Sequence, residues 1–204
     1  MDSAGWDRRY AGGELVWSAG PNRWVEEVAA DLPAGSALDL AAGEGRNALW
    51  LAERGWEVTA VDFSAVGLER ARSLAARRLG EHAGRLRLVE ADLREYAPAR
   101  QAADLVIVAY LQVGEQVRRH ALRAAAEAVA PGGLLLVVGH DSDNLAHGAG
   151  GPQDPAVLYT ARDAASDIAG SGLRVLRAEP RTREIPTDEG PRTAIDAFLL
   201  ARRR

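Results

Sequence analysis

Cysteine is absent from the 204 residues, which excludes disulfides, thiolate metal sites and a cysteine nucleophile. No apolar run is long enough to span a membrane, and the opening Met1-Asp-Ser-Ala-Gly-Trp6 lacks the basic-then-apolar order of a secretory leader. A cytoplasmic location is therefore expected. Positive charge is not in excess either. With 25 basic against 29 acidic residues the net charge is -4, which argues against a nucleic-acid partner. All the basic residues are arginine, which together with abundant alanine reads as a genome-wide bias. Aromatic residues are scarce at 5%, yet four of them, Trp6, Tyr10, Trp17 and Trp24, fall within the first 24 residues.

What is present centres on residues 36–62. A short apolar run, Ala37 to Ala41, reads as a buried strand. Gly43 and Gly45 follow, then a helix with Ala48, Leu49, Leu51 and Ala52 inward, stopped by Gly55. A second strand, Trp56 to Val61, ends in Asp62. Strand, glycine turn, helix, strand and acid make the first half of a nucleotide-binding α/β sheet. The glycines let backbone lie against a ligand, the helix N-terminus offers free N–H groups, and Asp62 can accept both hydrogen bonds of a ribose diol. Gly43-Glu-Gly45-Arg-Asn-Ala48 also fits the dinucleotide pattern, so this stretch alone leaves NAD and other adenosine ligands open.

Along the chain, Asn22 to Ala30 has helical spacing. Ser64 caps a helix running to Leu79, closed by Gly80. Residues 85–90 alternate polar and apolar, as in a half-covered strand, whereas 104–110 and 134–138 are continuous apolar runs suited to central parallel strands. A helix from Glu115 to Ala130 lies between them, ended by Pro131-Gly-Gly133. A capping box at Thr160 opens a helix through Ile168. Two strands, 173–179 and 193–201, have no helix between them and must pair antiparallel. The expectation is a three-layer α/β/α sandwich of one domain, residues 1–204. Its seven-stranded sheet is mostly parallel with an antiparallel last strand, and residues 1–35 form a helical or lid segment.

In this order the chain resembles the class I S-adenosylmethionine-dependent methyltransferases. Asp39-Leu-Ala-Ala-Gly43-Glu-Gly45 is similar to their glycine-rich motif, with Ala41 where many members carry glycine. Asp62, Ala91-Asp92-Leu93 and Pro131-Gly-Gly133 match further motifs. Trp6-Asp-Arg-Arg-Tyr10 and Val16-Trp-Ser-Ala-Gly-Pro-Asn22 resemble the N-termini of small bacterial tellurite-resistance and thiopurine-type members. The resemblance implies S-adenosyl-L-methionine as cofactor, held by Asp39, Ala41, Gly43, Gly45, Asn47, Asp62, Phe63, Ala91, Asp92, Leu93 and Tyr110. It implies a small-molecule acceptor, with no nucleic-acid or membrane partner.

Candidate acceptor-side groups are Tyr110, Leu111 and Gln112 after the fourth strand, and His140, Asp141 and Asp143 after the fifth. His140 and Tyr110 are the catalytic candidates, His140 as base and Tyr110 as wall or hydroxyl donor; Trp17, Tyr10, Gln112 and His140 are the substrate candidates. Trp17 is expected to face the acceptor pocket, and Trp24 to be core. No metal is expected: Asp143-Asn144 mimics part of a catechol-type metal site, but Tyr110 stands in the region of its first ligand. Two other readings compete, an NAD-type oxidoreductase lacking its second half-domain and an S-adenosylmethionine-binding module without catalysis.

Overall fold

Continuous apolar strands need cover on both faces, and the computed structural model supplies it. It describes residues 2–12, 16, 20–187 and 190–204. After α1 (Ser3–Tyr10) and α2 (Arg23–Ala29), the chain alternates β1 (Ser36–Leu40), α3 (Arg46–Glu53), β2 (Glu57–Asp62), α4 (Ala65–Leu79) and β3 (Leu86–Glu90). It continues as β4 (Ala103–Ala109), α5 (Glu115–Ala128), β5 (Val129–His140), the short α6 (Asn144–His147) and α7 (Ala161–Asp167). The chain closes with β6 (Leu173–Ile185) and β7 (Arg192–Arg203). The strand order is β3-β2-β1-β4-β5-β7-β6, with β7 antiparallel to both its neighbours and the other pairs parallel.

Period-two alternation divides the strands between two cores. Leu38, Leu40, Val106, Val108, Leu135 and Val137 face α5 and α7, with Leu122, Tyr159 and Ile168. Leu105, Ile107, Leu134, Leu136 and Val138 face the other way, onto Trp24, Val25, Leu49, Leu51 and Phe198. At about 1.5–3 kcal/mol for each large side chain fully buried, these layers are the main favourable term in folding. The chain leaves β1 toward one edge of the sheet and β4 toward the other. The crevice beyond the carboxyl ends of β1 and β4 is therefore the switch point where open α/β sheets bind ligands.

Boundaries differ from the sequence reading at β6, which runs past 179 to Ile185 and so takes in Arg183, and before β5. The helix expected to reach Ala130 stops at Ala128, because Val129 already pairs with Ala103. Leu134 pairs with Leu105, so residues 130–133 bulge out opposite the single residue Asp104. Pro131-Gly-Gly133 is thus a bulge inside β5. A Cβ on Gly133 would stand 2.9 Å from the Asp104 carbonyl oxygen.

Candidate active site

The glycine turn after β1 begins with Ala41 at φ +60°, a left-handed conformation unusual for alanine. Gly43 and Gly45 follow at φ +56° and +76°, and a Cβ on Gly45 would meet the Ala71 methyl at 3.0 Å. The turn is braced from β2. Asp62 Oδ2 accepts from the Gly43 amide at 2.8 Å and Oδ1 from the Ser64 amide at 2.9 Å. Each oxygen keeps a second lone pair for a ligand. Burial raises the Asp62 pKa, opposed by the amides of Ser64, Gly43 and Phe63.

Asp39, on β1 below the turn, is fully buried, and among the described residues neither carboxylate oxygen meets a partner at good hydrogen-bond geometry. Burial pushes its pKa up to about 7. Arg46 lowers it, Asp62 raises it and the Ala48 amide lowers it slightly. A buried carboxylate without partners is costly. An ammonium-bearing ligand laid along the glycine turn would answer it. The turn, Asp39 and Asp62 therefore fit the amino-acid and ribose ends of S-adenosylmethionine.

Asp92 and its neighbours occupy the far side. Ala91 donates its amide to the Asp62 carbonyl, and Leu93 is buried in the core. The Asp92 carboxylate is held by its own neighbour, accepting from the Arg94 amide at 2.8 Å and Nε at 2.9 Å, and these bonds lower its pKa. Adenine would have to share that carboxylate with Arg94.

The acceptor side is built around a residue the sequence reading passed over. Asp196 on β7 is fully buried, and its Oδ2 accepts from Trp24 Nε1 at 2.8 Å, Tyr110 Oη at 3.0 Å and Arg183 Nε at 2.8 Å. Tyr110, at φ +58° just past β4, also accepts from Arg183 Nε at 3.1 Å and Asn22 Nδ2 at 3.3 Å. Burial and the Asp196 charge push the Tyr110 pKa up to about 12, so it stays a neutral hydroxyl. His140 packs against it at a tilt, with ring centroids 4.8 Å apart, and burial lowers the His140 pKa against the opposing pull of Asp196. Arg46 shares this space: its pKa is lowered by burial while Tyr110 and Asp39 pull it upward.

Other candidates have structural employment. Gln112 has both ends occupied, Oε1 accepting from the His140 amide at 2.9 Å and Nε2 donating to the Val157 carbonyl at 2.7 Å. It is a tether between strand ends. Asn47 is buried and accepts the Asn22 amide at 2.8 Å, while Asn22 itself caps α2. Tyr10 stacks on Trp6 and lies against Gly67, where a Cβ would meet its ring at 3.2 Å; like Tyr110, it helps to raise the Arg46 pKa. Trp24 is core, edge-on to Phe198. The Trp17 expectation lies outside the described residues.

The N-terminal segment is pinned across these groups. Asp7 accepts from Ser64 Oγ at 2.5 Å and from the Val66 amide at 3.3 Å. The buried Glu44, inside the glycine turn, accepts from the Val16 amide at 3.0 Å and pairs with Arg70 at 2.7 Å. Among the described residues no cluster of three His, Asp or Glu could hold a metal ion, and no helix is long and apolar enough to cross a membrane.

Comparison with known proteins agrees with this geometry. Residues 37–133 match the family described as "Methyltransferase domain". YqeM of Bacillus subtilis (strain 168), provisionally named a methyltransferase, is 31% identical over 139 residues. That alignment takes in 65% of this chain and 54% of YqeM, so the match spans about half the length of this curated relative. Among solved structures, one titled for conversion of a disulfide bond into a thioacetal group during echinomycin biosynthesis superposes with a TM-score of 0.75 at 23% identity. It covers 98% of this chain and 92% of its own. TehB from Haemophilus influenzae gives a TM-score of 0.72 at 17% identity, covering 98% of this chain and 66% of its own. At these identities the structural likeness shows the fold alone.

Proposed function

We propose that this chain is a class I S-adenosyl-L-methionine-dependent methyltransferase that moves the methyl group onto a small-molecule acceptor such as a thiol, chalcogen oxyanion, halide or hydroxyl. The observation that carries the small-acceptor reading is the N-terminal segment, pinned at Ser64, Glu44, Asn47 and Tyr110 over the carboxyl edge of the sheet. A covering segment held at these points suits a molecule that can be enclosed. The -4 net charge argues against nucleic acid. The reading takes residues 1–204 as one domain, with 1–35 as the covering segment, in the cytoplasm.

Bound S-adenosylmethionine supplies a methyl carbon already activated by the sulfonium. What remains for the protein is placement and water exclusion, where placement is worth roughly 7–11 kcal/mol at best. Asp39 and Asp62 anchor the two ends of the cofactor, and the glycine turn lets its backbone come close. Tyr110, fixed by Asp196, Arg183 and Asn22, forms a rigid wall beside the acceptor. His140, kept neutral by burial, takes the proton from an acceptor that arrives protonated.

Calorimetry with S-adenosylmethionine, S-adenosylhomocysteine and NAD comes first, followed by turnover against thiols, chalcogen oxyanions, halides and phenols. Binding of the first two ligands and methylation of at least one acceptor are expected. Binding of NAD alone would favour an oxidoreductase. Tight S-adenosylhomocysteine binding with no turnover on any acceptor would leave a non-catalytic binding module.

A further inference from the structure

Two buried atoms face each other across the acceptor side without a hydrogen bond: Nδ1 of His140 and Oδ1 of Asp196, 3.9 Å apart. Their meeting follows from the fold, since antiparallel pairing of β5 with β7 sets His140 directly opposite Asp196. Neither side chain is loosely placed. Three donors from three separate elements, Trp24, Tyr110 and Arg183, hold the other oxygen of Asp196. The His140 ring lies between the Tyr110 ring and Gly151, where a Cβ would stand 2.7 Å from Nδ1.

We infer that Asp196 is the positioning residue for His140, keeping its proton on Nδ1 so that Nε2 presents a lone pair to the methyl acceptor. The inference rests on the reading of His140 as the acceptor-side base. A neutral imidazole has one N–H and one lone pair. With the proton on Nδ1, donor meets carboxylate and the pair needs to close by only about 1 Å to bond. With the proton on Nε2, a lone pair would face Asp196 Oδ1 in a sealed space, and the outward nitrogen could not accept a proton. Nδ1 is sealed from solvent, while the His140 side chain as a whole keeps 12% exposure.

The groups around His140 agree. Asp196 from β7 raises its pKa, Arg183 from β6 lowers it, and Tyr110 from β4 stays neutral. Asp141, next in the chain, has its own pKa raised by burial. The acceptor's proton moves to Nε2, giving an imidazolium stabilised by Asp196, while the acceptor's freed electron pair forms the new bond to carbon. The departing sulfur keeps the electrons of the bond it loses, so charge balances with no further reactant.

The test reads the tautomer directly. Long-range ¹H–¹⁵N spectra of the ¹⁵N-labelled protein saturated with S-adenosylhomocysteine resolve the two imidazole nitrogens, and His140→Gln identifies the His140 signals among those of His82, His120 and His147. Above its pKa, His140 should carry its proton on Nδ1. In Asp196→Asn the amide donates to Nδ1, and the proton should move to Nε2. Turnover of a protonated acceptor should then fall by about 100-fold, with KM for S-adenosylmethionine within about twofold of wild type. A wild-type His140 protonated on Nε2, or a tautomer unchanged in Asp196→Asn, would overturn the inference. If the tautomer switches but neither Asp196→Asn nor His140→Gln slows turnover, Asp196 still positions His140 and the base reading fails instead. Should Asp196→Asn not fold, the wild-type spectrum decides alone.

Discussion

Replacing Asp39 by asparagine should flatten the pH dependence of stability and make the variant gain on wild type as pH rises. The ordinary carboxylate value is 3.8 and the folded value is about 7. At low pH both states hold the proton and Asp39 costs nothing. Between about pH 4 and 7 the unfolded chain releases a proton that the folded protein retains, so stability falls as pH rises. Above the folded pKa the penalty is complete and constant. The gap is about 3 pH units at roughly 1.4 kcal/mol each, giving an upper bound of about 4 kcal/mol. About 2–3 kcal/mol of it develops between pH 5 and pH 8, because part of the penalty is already present at pH 5.

Asparagine has the same shape and no titration. Its own unpaired amide shifts the variant's curve by a constant and leaves the slope untouched. Asp62, whose pKa is also raised, is common to both proteins and largely cancels. Urea unfolding of wild type and Asp39→Asn at matched pH should therefore show a stability difference widening by about 2–3 kcal/mol from pH 5 to 8. That corresponds to roughly 4–12 °C in melting temperature for a chain of this size. Saturating S-adenosylhomocysteine should shrink the widening, since its ammonium favours the ionised carboxylate. Parallel curves for the two proteins would show that Asp39 is already ionised and compensated, and the cofactor-anchor argument would lose its physical basis.

The other predictions are simpler. Asp62→Ala should weaken S-adenosylhomocysteine binding by about 1.5–3 kcal/mol, and Asp92→Ala by less, because Arg94 already shares the Asp92 carboxylate; calorimetry on the folded variants checks both. Asp167→Ala should destabilise by about 3–5 kcal/mol, because it strands Arg118, whose Nε lies 2.7 Å from Asp167 with both side chains buried. Urea unfolding reads that loss, and a change under about 1 kcal/mol would mean that Arg118 finds another partner.

The halves of the site differed in how far the sequence exposed them, and the reason is distance along the chain. The larger share of the candidate cofactor half comes from residues 36–62, where turn, helix and strand are local and each residue type has a conformational job. Gly43 and Gly45 at positive φ and Asp62 at the strand end are legible because backbone geometry demands them. The strand count and the reversed β7 were legible as well, from apolar runs and a hairpin with no room for a helix. The end of α5 was not. Pro131-Gly-Gly133 breaks a helix and permits a bulge equally well, and only pairing of Val129 with Ala103 decides between them.

The acceptor half joins Asn22, Arg46, Tyr110, His140, Arg183 and Asp196, which share no motif and meet only once β7 turns back between β5 and β6. Neither Arg46 nor Arg183 is singled out, each one arginine among 25. Asp196 did leave a trace. It is a lone acid in Ala194-Ile-Asp-Ala-Phe-Leu-Leu200, an apolar strand that the sheet order makes internal, where a carboxylate must be paired or bonded to survive. Such an acid predicts donors on the neighbouring strands. Here the donors are Arg183 on β6, Tyr110 just past β4 and Trp24 on α2, with His140 opposite on β5. Tyr110 and His140 were candidates already from their places at strand ends, whereas nothing in the sequence context of Arg183 singles it out, and it is found only in reverse, from the acid to its partner.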